Sequence, residues 1–283
     1  MSRRLVSTLL LLPLLACTAT PAPGRPLERS GDEISVCGQL FHTGTPVVLW
    51  NDPGGYSAYR ATRRFTPVPD GEPTDKQLYG TRTTDDEKLA ARVEARGWTL
   101  EDLRHVVKQF VIHYDQCGTS LGCFRVLEQR GLSVHFMLDL DGTVYQTLDL
   151  KERAWHASQA NSAAVGVEVA NVGAYTQPVH HILKAWYADD SGGVRVQFPK
   201  WIKDSGLRTK GYVPRPARPD ILSGTIHGKQ YWQYDFTDAQ YEALAKLSAA
   251  LHQVLPAIRL EVPRDTDGSI LKRALTPEEL ADH

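Results

Sequence analysis

Residues 134–147 read Val-His-Phe-Met-Leu-Asp-Leu-Asp-Gly-Thr-Val-Tyr-Gln-Thr, two apolar runs on either side of Asp141-Gly142. An Asp-Gly pair between apolar runs is a strong local signal for a β-hairpin, because the favoured two-residue turns need residues that tolerate positive φ. The pattern therefore predicts two antiparallel strands joined by a tight turn.

Apolar runs on both sides of this hairpin predict further strands. Phe110-Val111-Ile112-His113 and residues 165–170 are short, compact and apolar, which is typical of buried strands. Helical patterns occur between and after them, at residues 121–130, which Gly131 ends, and beyond Thr237, which forms a capping box with Gln240. The face of the later helix consists of Tyr241, Leu244, Leu247, Leu251 and Leu255. Strands that alternate with helices indicate an α/β domain.

The composition is that of a folded globular protein. The chain has 283 residues, of which 42% are hydrophobic and 23% charged. These values exclude disorder, a collagen-like chain and a disulfide miniprotein. Thirty-two Lys and Arg against 33 Asp and Glu give a net charge of -1, so we expect no nucleic-acid partner.

The N-terminus has the pattern of an export signal. Arg3 and Arg4 precede an apolar run that is too short to cross a bilayer, and the run ends in Leu14-Leu15-Ala16-Cys17, which resembles the bacterial lipobox. We expect residues 1–16 to be a lipoprotein signal peptide and Cys17 to be lipidated, with an ordinary signal peptide as the alternative. The protein would then be exported and anchored to a membrane by lipid, on the periplasmic or cell-envelope face.

The rest of the chain divides into three predicted segments. Residues 17–35 form a flexible tether and residues 36–105 a loop-rich N-terminal extension with one or two strands. Residues 106–283 form the main domain, with a long insertion at about 176–231 that is rich in Pro and Gly and is expected to have few regular elements.

The remaining cysteines are interpreted in the oxidising setting that export implies. Cys117 and Cys123 enclose a five-residue loop, so we expect a disulfide between them. Cys37 has no obvious partner and is expected to be a buried free thiol.

The residues that carry chemistry form an ordered series. His113 ends a buried strand, where rigid backbone suits a metal ligand, although a lone histidine in such a place is more often a core residue. It is followed by the segments Gly131–Phe136, Asp141–Gln146, Arg153-Ala154-Trp155-His156-Ala157 and Val165-Gly166-Val167-Glu168.

This series resembles the type 2 N-acetylmuramoyl-L-alanine amidases, zinc enzymes that cleave peptidoglycan, and the related peptidoglycan-recognition proteins. The resemblance covers residues 106–175 closely and the helix from Thr237 to Leu255 more loosely. It implies a mixed central sheet flanked by helices, and the loop between Cys117 and Cys123 also matches a disulfide loop of the recognition proteins.

The resemblance also implies roles for individual residues. Zn²⁺ is the expected cofactor, with His113 as its first ligand, and Glu168 is the expected general base. Some relatives have a catalytic Tyr where this chain has Val134, which leaves Glu168 to assist the water. His156 is expected to line the cleft and contact substrate rather than pack at the surface. For His135, substrate contact and an orienting or packing role are both open.

Two expected zinc ligands are missing from the pattern. In the family a His and an Asp or Cys normally follow the long helix, in a segment resembling Gly-His and then Asp-Pro-Gly, and residues 256–283 contain no such segment. Three explanations are open: the sequence is a truncated copy that lacks its C-terminal end, it is a natural short form that binds without cutting, or His227, Asp282 or His283 completes the site. His180, His181 and His252 fit solvated or helical positions better.

The expected function is zinc-dependent hydrolysis of the amide bond between N-acetylmuramic acid and L-alanine, in intact peptidoglycan or in muropeptides. The alternative is a catalytically inactive peptidoglycan-binding lipoprotein on the same fold.

Overall fold

A computed structural model describes residues 28–59, 77–226, 228–271, 273, 275, 276, 278 and 279. The predicted signal peptide, Cys17, most of the tether and the candidate ligands His227, Asp282 and His283 lie outside the described residues. Among the described helices, none combines the length and the apolar character of a membrane-spanning segment.

The described strands are β1 (Glu33–Val36), β2 (Gln39–His42), β3 (Val47–Leu49), β4 (Tyr79–Thr81), β5 (Gln109–Tyr114), β6 (Phe136–Leu138), β7 (Val144–Gln146), β8 (Glu152–Ala154), β9 (Ala164–Val169), β10 (Tyr187–Asp190), β11 (Gly193–Val196), β12 (Leu222–Ile226) and β13 (Lys229–Gln233). The described helices are α1 (Glu87–Arg96), α2 (Leu100–Val106), α3 (Ser120–Arg130), α4 (His181–Trp186) and α5 (Asp238–Val254), with a 3-10 helix at Ser158–Ser162.

The centre of the fold is a mixed five-stranded sheet in the order β3-β7-β6-β9-β5. Strand β9 is parallel to both of its neighbours, β5 and β6, and β3 is parallel to β7. Strands β6 and β7 form the expected antiparallel hairpin, in which Gly142 has a φ of 81° and its N–H donates to the Asp139 carbonyl. The predicted α/β fold with a mixed, helix-flanked sheet is therefore confirmed.

The two faces of the sheet pack against different helices. Phe136, Val165 and Val167 lie on one face in the core that α5 covers with Leu247 and Leu251. The opposite face is covered in part by α3, whose apolar side chains pack with those of β6 and β7: Leu121, Phe124, Leu127, Met137 and Tyr145. Because strand side chains alternate between faces, residues on the α3 side form a set distinct from the apolar core under α5.

Helix α5 begins and packs as its pattern predicts. The Thr237 hydroxyl accepts the N–H of Gln240, and the Gln240 side chain accepts the N–H of Thr237, which completes the capping box. Gln240 Nε2 also donates to the Ala170 carbonyl beyond the end of β9. The cap therefore fixes the start of the helix and ties it to the sheet.

Two segments contain more regular structure than expected. The N-terminal extension contains β2, β3 and β4, and β3 is an edge strand of the central sheet. The buried strand β1 begins at Glu33, inside the segment 17–35 that was expected to be a flexible tether, so the end of that segment was placed too late. The segment 176–231, expected to have few regular elements, contains α4 and the two hairpins β10–β11 and β12–β13, the last of which ends at Gln233. That expectation was wrong, because Gly192 and Gly228 lie in the tight turns of these two hairpins, where glycine favours a strand pair.

The cysteines retain their thiols in this structure. Cys37, Cys117 and Cys123 are free, and the Cys117 and Cys123 side chains hydrogen-bond to each other. The two thiols are therefore neighbours, and the disulfide between them stays a prediction. Cys37 is half-buried, and burial raises the pKa of its thiol to about 12.

We expect Leu251→Ala to lower the free energy of unfolding by about 2–5 kcal/mol, because it leaves a cavity between α5 and the sheet. Leu260→Ala is the matched control, since Leu260 is 59% exposed and its truncation should cost less than about 0.5 kcal/mol. Urea denaturation followed by circular dichroism measures both values. Equal losses in the two variants would contradict the assigned core.

Candidate functional site

His113 and Glu168 lie side by side on neighbouring strands. They are direct register partners in the parallel pairing of β5 with β9, so their side chains leave the same face of the sheet. Met137, which packs under α3, is the register partner of Glu168 on β6. The structure therefore brings the predicted ligand and the predicted base together on the α3 side of the sheet.

The loop that follows β5 is held against β9 by a buried carboxyl group. Asp115 Oδ1 accepts the N–H groups of Cys117, Gly118 and Asn171, at 2.9, 3.1 and 3.0 Å. The N–H of Asp115 donates to the Val169 carbonyl. These bonds fix the chain just beyond the C-terminal ends of β5 and β9, the strands that carry His113 and Glu168.

His156 joins this pair from the segment after β8. Its Nδ1 lies 3.2 Å from Nε2 of His113, and the two rings are nearly perpendicular. The ring lies over Gly166, where a Cβ atom would be 2.5 Å from Cε1 and Nδ1 of His156. Gly166 therefore provides the space that lets His156 reach His113.

Burial shifts the titration of these three groups in opposite directions. It lowers the pKa of His113, and it lowers the pKa of His156 to about 3, with a further contribution from His113. It raises the pKa of the Glu168 carboxyl to about 7, a shift that the positive charge of Arg130 opposes. The imidazoles are therefore neutral at pH 7, while Glu168 is close to half ionised.

His135 lies next to His156 and has no exposed surface. Its Nδ1 accepts the N–H of Gly166 at 3.2 Å, and its Nε2 lies 3.1 Å from the Glu152 carbonyl. Its ring contacts that of His156, with centroids 5.7 Å apart. Of the two roles that the sequence left open for His135, this position favours orientation and packing over contact with substrate.

Sequence reasoning missed Arg82, which lies behind the histidines. Arg82 is 2% exposed, and its Nη2 lies 3.1 Å from Nε2 of His135. No local pattern indicates this role, since Arg82 follows the three-residue strand β4 and reaches the site through the pairing of β4 with β8. A buried arginine is recognisable only once the fold is known.

The histidines suit a transition metal in part. Neutral imidazoles have a free lone pair for Zn²⁺, and Nε2 of His156 is buried without a hydrogen-bond partner among the described residues. In the described part of the chain, the group of three possible ligand atoms within 4.8 Å of one another is Asp32, Glu33 and His42, which includes neither His113 nor His156. His113 and His156 therefore fit a metal site that no third described residue completes.

The other histidines considered as ligands occupy structural positions. His180 is the N-cap of α4 and His181 its first residue, while His252 lies in α5 with Nδ1 2.7 Å from the Ile258 carbonyl. These positions agree with the interpretation of the three as solvated or helical residues.

Comparisons with known proteins identify the family. The model of the family described as N-acetylmuramoyl-L-alanine amidase (Amidase_2) matches residues 103–265, which is more than half of the chain. No curated protein matches.

Two solved structures resemble the chain. One is the crystal structure of a selenomethionine derivative of AmpD, at 16% identity and a TM-score of 0.29, covering 72% of this chain and 81% of that one. Another is the Drosophila peptidoglycan recognition protein PGRP-SA, at 14% identity and a TM-score of 0.27, covering 55% of this chain and 64% of that one.

We expect Gly166→Ala to displace the His156 ring from His113, because the new methyl group would overlap the ring. Imidazole signals in ¹H–¹⁵N NMR spectra of the metal-free protein report the change. Gly224→Ala, on the exposed strand β12 with open space around it, is the matched control and should leave those signals unchanged. Unchanged His156 signals in the Gly166 variant would contradict the described packing.

Proposed function

Because this chain belongs to the N-acetylmuramoyl-L-alanine amidase family, we propose that it hydrolyses the amide bond between N-acetylmuramic acid and L-alanine in peptidoglycan, with Zn²⁺ as cofactor. The observation that carries the proposal is the register pairing of His113 with Glu168, which joins a metal-binding imidazole and a carboxyl group on one face of the sheet. The substrate is intact peptidoglycan or muropeptides.

Each residue of the site has a task that its surroundings support. A bound Zn²⁺ supplies Lewis-acid polarisation of the carbonyl and a water with a pKa of about 7. His113 would contribute one ligand, and His227, Asp282 and His283 are the further ligands that the sequence offers. The neutral state of His113, which burial favours, is the state that can bind a metal.

Glu168 acts as general base and then as general acid. With a pKa of about 7, it is ionised in a large fraction of molecules at neutral pH, and its protonated form is also accessible. Its carboxylate accepts a proton from the attacking water and passes it to the departing amine of L-alanine. Burial, which raises this pKa, is thus what suits the group to both steps.

His156 lines the cleft beside the reacting bond. Its Nδ1 is engaged with His113, whereas its Nε2 has no hydrogen-bond partner in the described structure. A polar atom in this state is stabilised when a ligand supplies the missing hydrogen bond. Because Nε2 is buried in the free protein, a polar group of the substrate near the scissile amide would reach it only if the ring moves on binding.

A catalytically silent peptidoglycan-binding protein is the second candidate. The observation that favours it is the absence, in the residues the structure describes, of a group of three ligand atoms that includes His113. The cleft residues would then recognise the peptide stem without cutting it.

The anchoring and export of the protein are part of the proposal. The basic start, the apolar run and Cys17 in the lipobox-like sequence support a lipid anchor on the periplasmic or cell-envelope face. An anchored enzyme would meet peptidoglycan close to the membrane surface.

The test measures zinc content and the release of stem peptides from purified sacculi. We expect wild-type protein to bind zinc and release peptides with new L-alanine amino termini. His113→Ala should lose both properties, while Glu168→Gln should keep zinc and lose about 10²–10⁴-fold in turnover.

His105→Ala is the matched histidine control, since His105 is exposed on α2, and it should behave as wild type. Sacculus binding without zinc or peptide release would reject the enzyme in favour of the second candidate. Full activity of Glu168→Gln would reject the assigned base alone.

We expect kcat/KM to rise with pH up to about 7 and then level off, because the base must be ionised and burial raises the pKa of Glu168 to about 7. Arg130→Gln should move the midpoint to higher pH, because it removes the positive charge that lowers this pKa. Arg125→Gln, on the same helix, is the control and should leave the midpoint in place. A midpoint that does not move in the Arg130 variant would show that another group limits the rate.

A further inference from the structure

Arg82 reaches the site from the N-terminal extension and is held there by main-chain carbonyl groups. Its Nε donates to the carbonyl of Leu150 at 2.9 Å. Its Nη1 lies within hydrogen-bond distance of the carbonyls of Asn161, Ser162 and Ala164, at 3.2, 2.7 and 3.0 Å. The guanidinium thus connects Leu150, two residues before β8, with the 3-10 helix and the first residue of β9.

One route leads from Arg82 to His156 through Asn161. The Asn161 side-chain oxygen accepts the N–H groups of His156 and Ala157, at 3.1 and 2.7 Å. The main-chain carbonyl of the same Asn161 is one of the groups that Arg82 holds. Asn161 is itself buried, so these bonds are shielded from exchange with water.

His135 is fixed by two main-chain groups and only borders on Arg82. Because Nδ1 of His135 accepts the N–H of Gly166, the proton of the neutral ring is on Nε2, where the Glu152 carbonyl accepts it. Arg82 Nη2 lies 3.1 Å from the same Nε2, but both nitrogens carry hydrogen there, so this contact is not a hydrogen bond. His135 is therefore held in one tautomer and orientation, with its ring against His156.

We propose that Arg82 is a positioning residue of the amidase site, which fixes His156 over Gly166 and against His113 by holding Asn161, whose side chain accepts the N–H groups of His156 and Ala157. The inference rests on the proposed function for its catalytic consequence, but the positioning itself is a property of the protein alone. It also gives the N-terminal extension a part in the active site, beyond the residues that the family match covers.

The test uses the full chain with Arg82 replaced in two ways. Arg82→Met removes the charge and the donors, whereas Arg82→Lys keeps a charge and cannot span all of the carbonyls. In metal-free protein we expect the ¹H–¹⁵N imidazole signals of His156 to shift or broaden in both variants. Arg104→Met is the matched control, since Arg104 also donates to a main-chain carbonyl, that of Val254, and it should leave those signals unchanged.

Kinetics supply the second measurement. Loss of a partner that orients an active-site ligand typically costs about 10–100-fold. We expect a loss of this size in kcat for Arg82→Met and a change in KM of less than about threefold, because the chemical groups are misplaced while most of the cleft is intact.

Two results would overturn the positioning role. One is unchanged imidazole signals of His156 in a folded Arg82 variant, and the other is loss of folding in both variants, which would make Arg82 a residue of general stability. A wild-type protein without amidase activity would reject the proposed function, and the NMR comparison would still decide the role of Arg82.

Discussion

The parallel pairing of β5 with β9 is the interaction on which the site depends. It aligns residue 113 with residue 168 and therefore puts an imidazole and a carboxyl group on the same face of the sheet. A shift of one residue in this register would turn one of the two side chains toward α5, because successive side chains of a strand alternate between faces. The buried valines of β9, which pack under α5, make that shift costly and so protect the geometry of the site.

A single physical effect, removal from water, shifts the pKa of both kinds of titratable group in the site, the imidazoles and the carboxyl group. It disfavours the charged form, so it lowers the pKa of each imidazole and raises that of the carboxyl group. Near neutral pH the imidazoles are unprotonated, and Glu168 is the group among these three that gains or loses a proton. The positive charge of Arg82 acts in the same direction on His135 and His156.

The sequence predicts those parts of the fold that local patterns determine. Asp141-Gly142 predicts the hairpin because the turn needs positive φ at Gly142, and Thr237 with Gln240 predicts the start of α5 because the capping groups are three residues apart. The strand that ends near His113 and the strand that contains Glu168 are likewise visible as apolar runs. The prediction that these two strands lie close together came from the family resemblance and not from the spacing of the residues in the sequence.

What the sequence could not predict depends on contacts between distant segments. The run Val47–Leu49 is too short to identify as a strand of the central sheet, and only its pairing with β7 makes it one. The role of Gly166 depends on where the ring of His156 lies, and that of Arg82 on carbonyl groups that come from three other segments. In each case the partner is far away in sequence and leaves no local signal.

Because β3 lies at the edge of the sheet and before residue 103, the residues that the family match covers do not form the complete sheet by themselves. A fragment trimmed to the residues that the family match covers would lose β3, and the backbone N–H and C=O groups of β7 that now pair with it would form an open edge. Exposed edges of this kind recruit strands from other molecules, so such a fragment would tend to aggregate. The segment before residue 103 thus covers an edge of the sheet at which other molecules would otherwise pair.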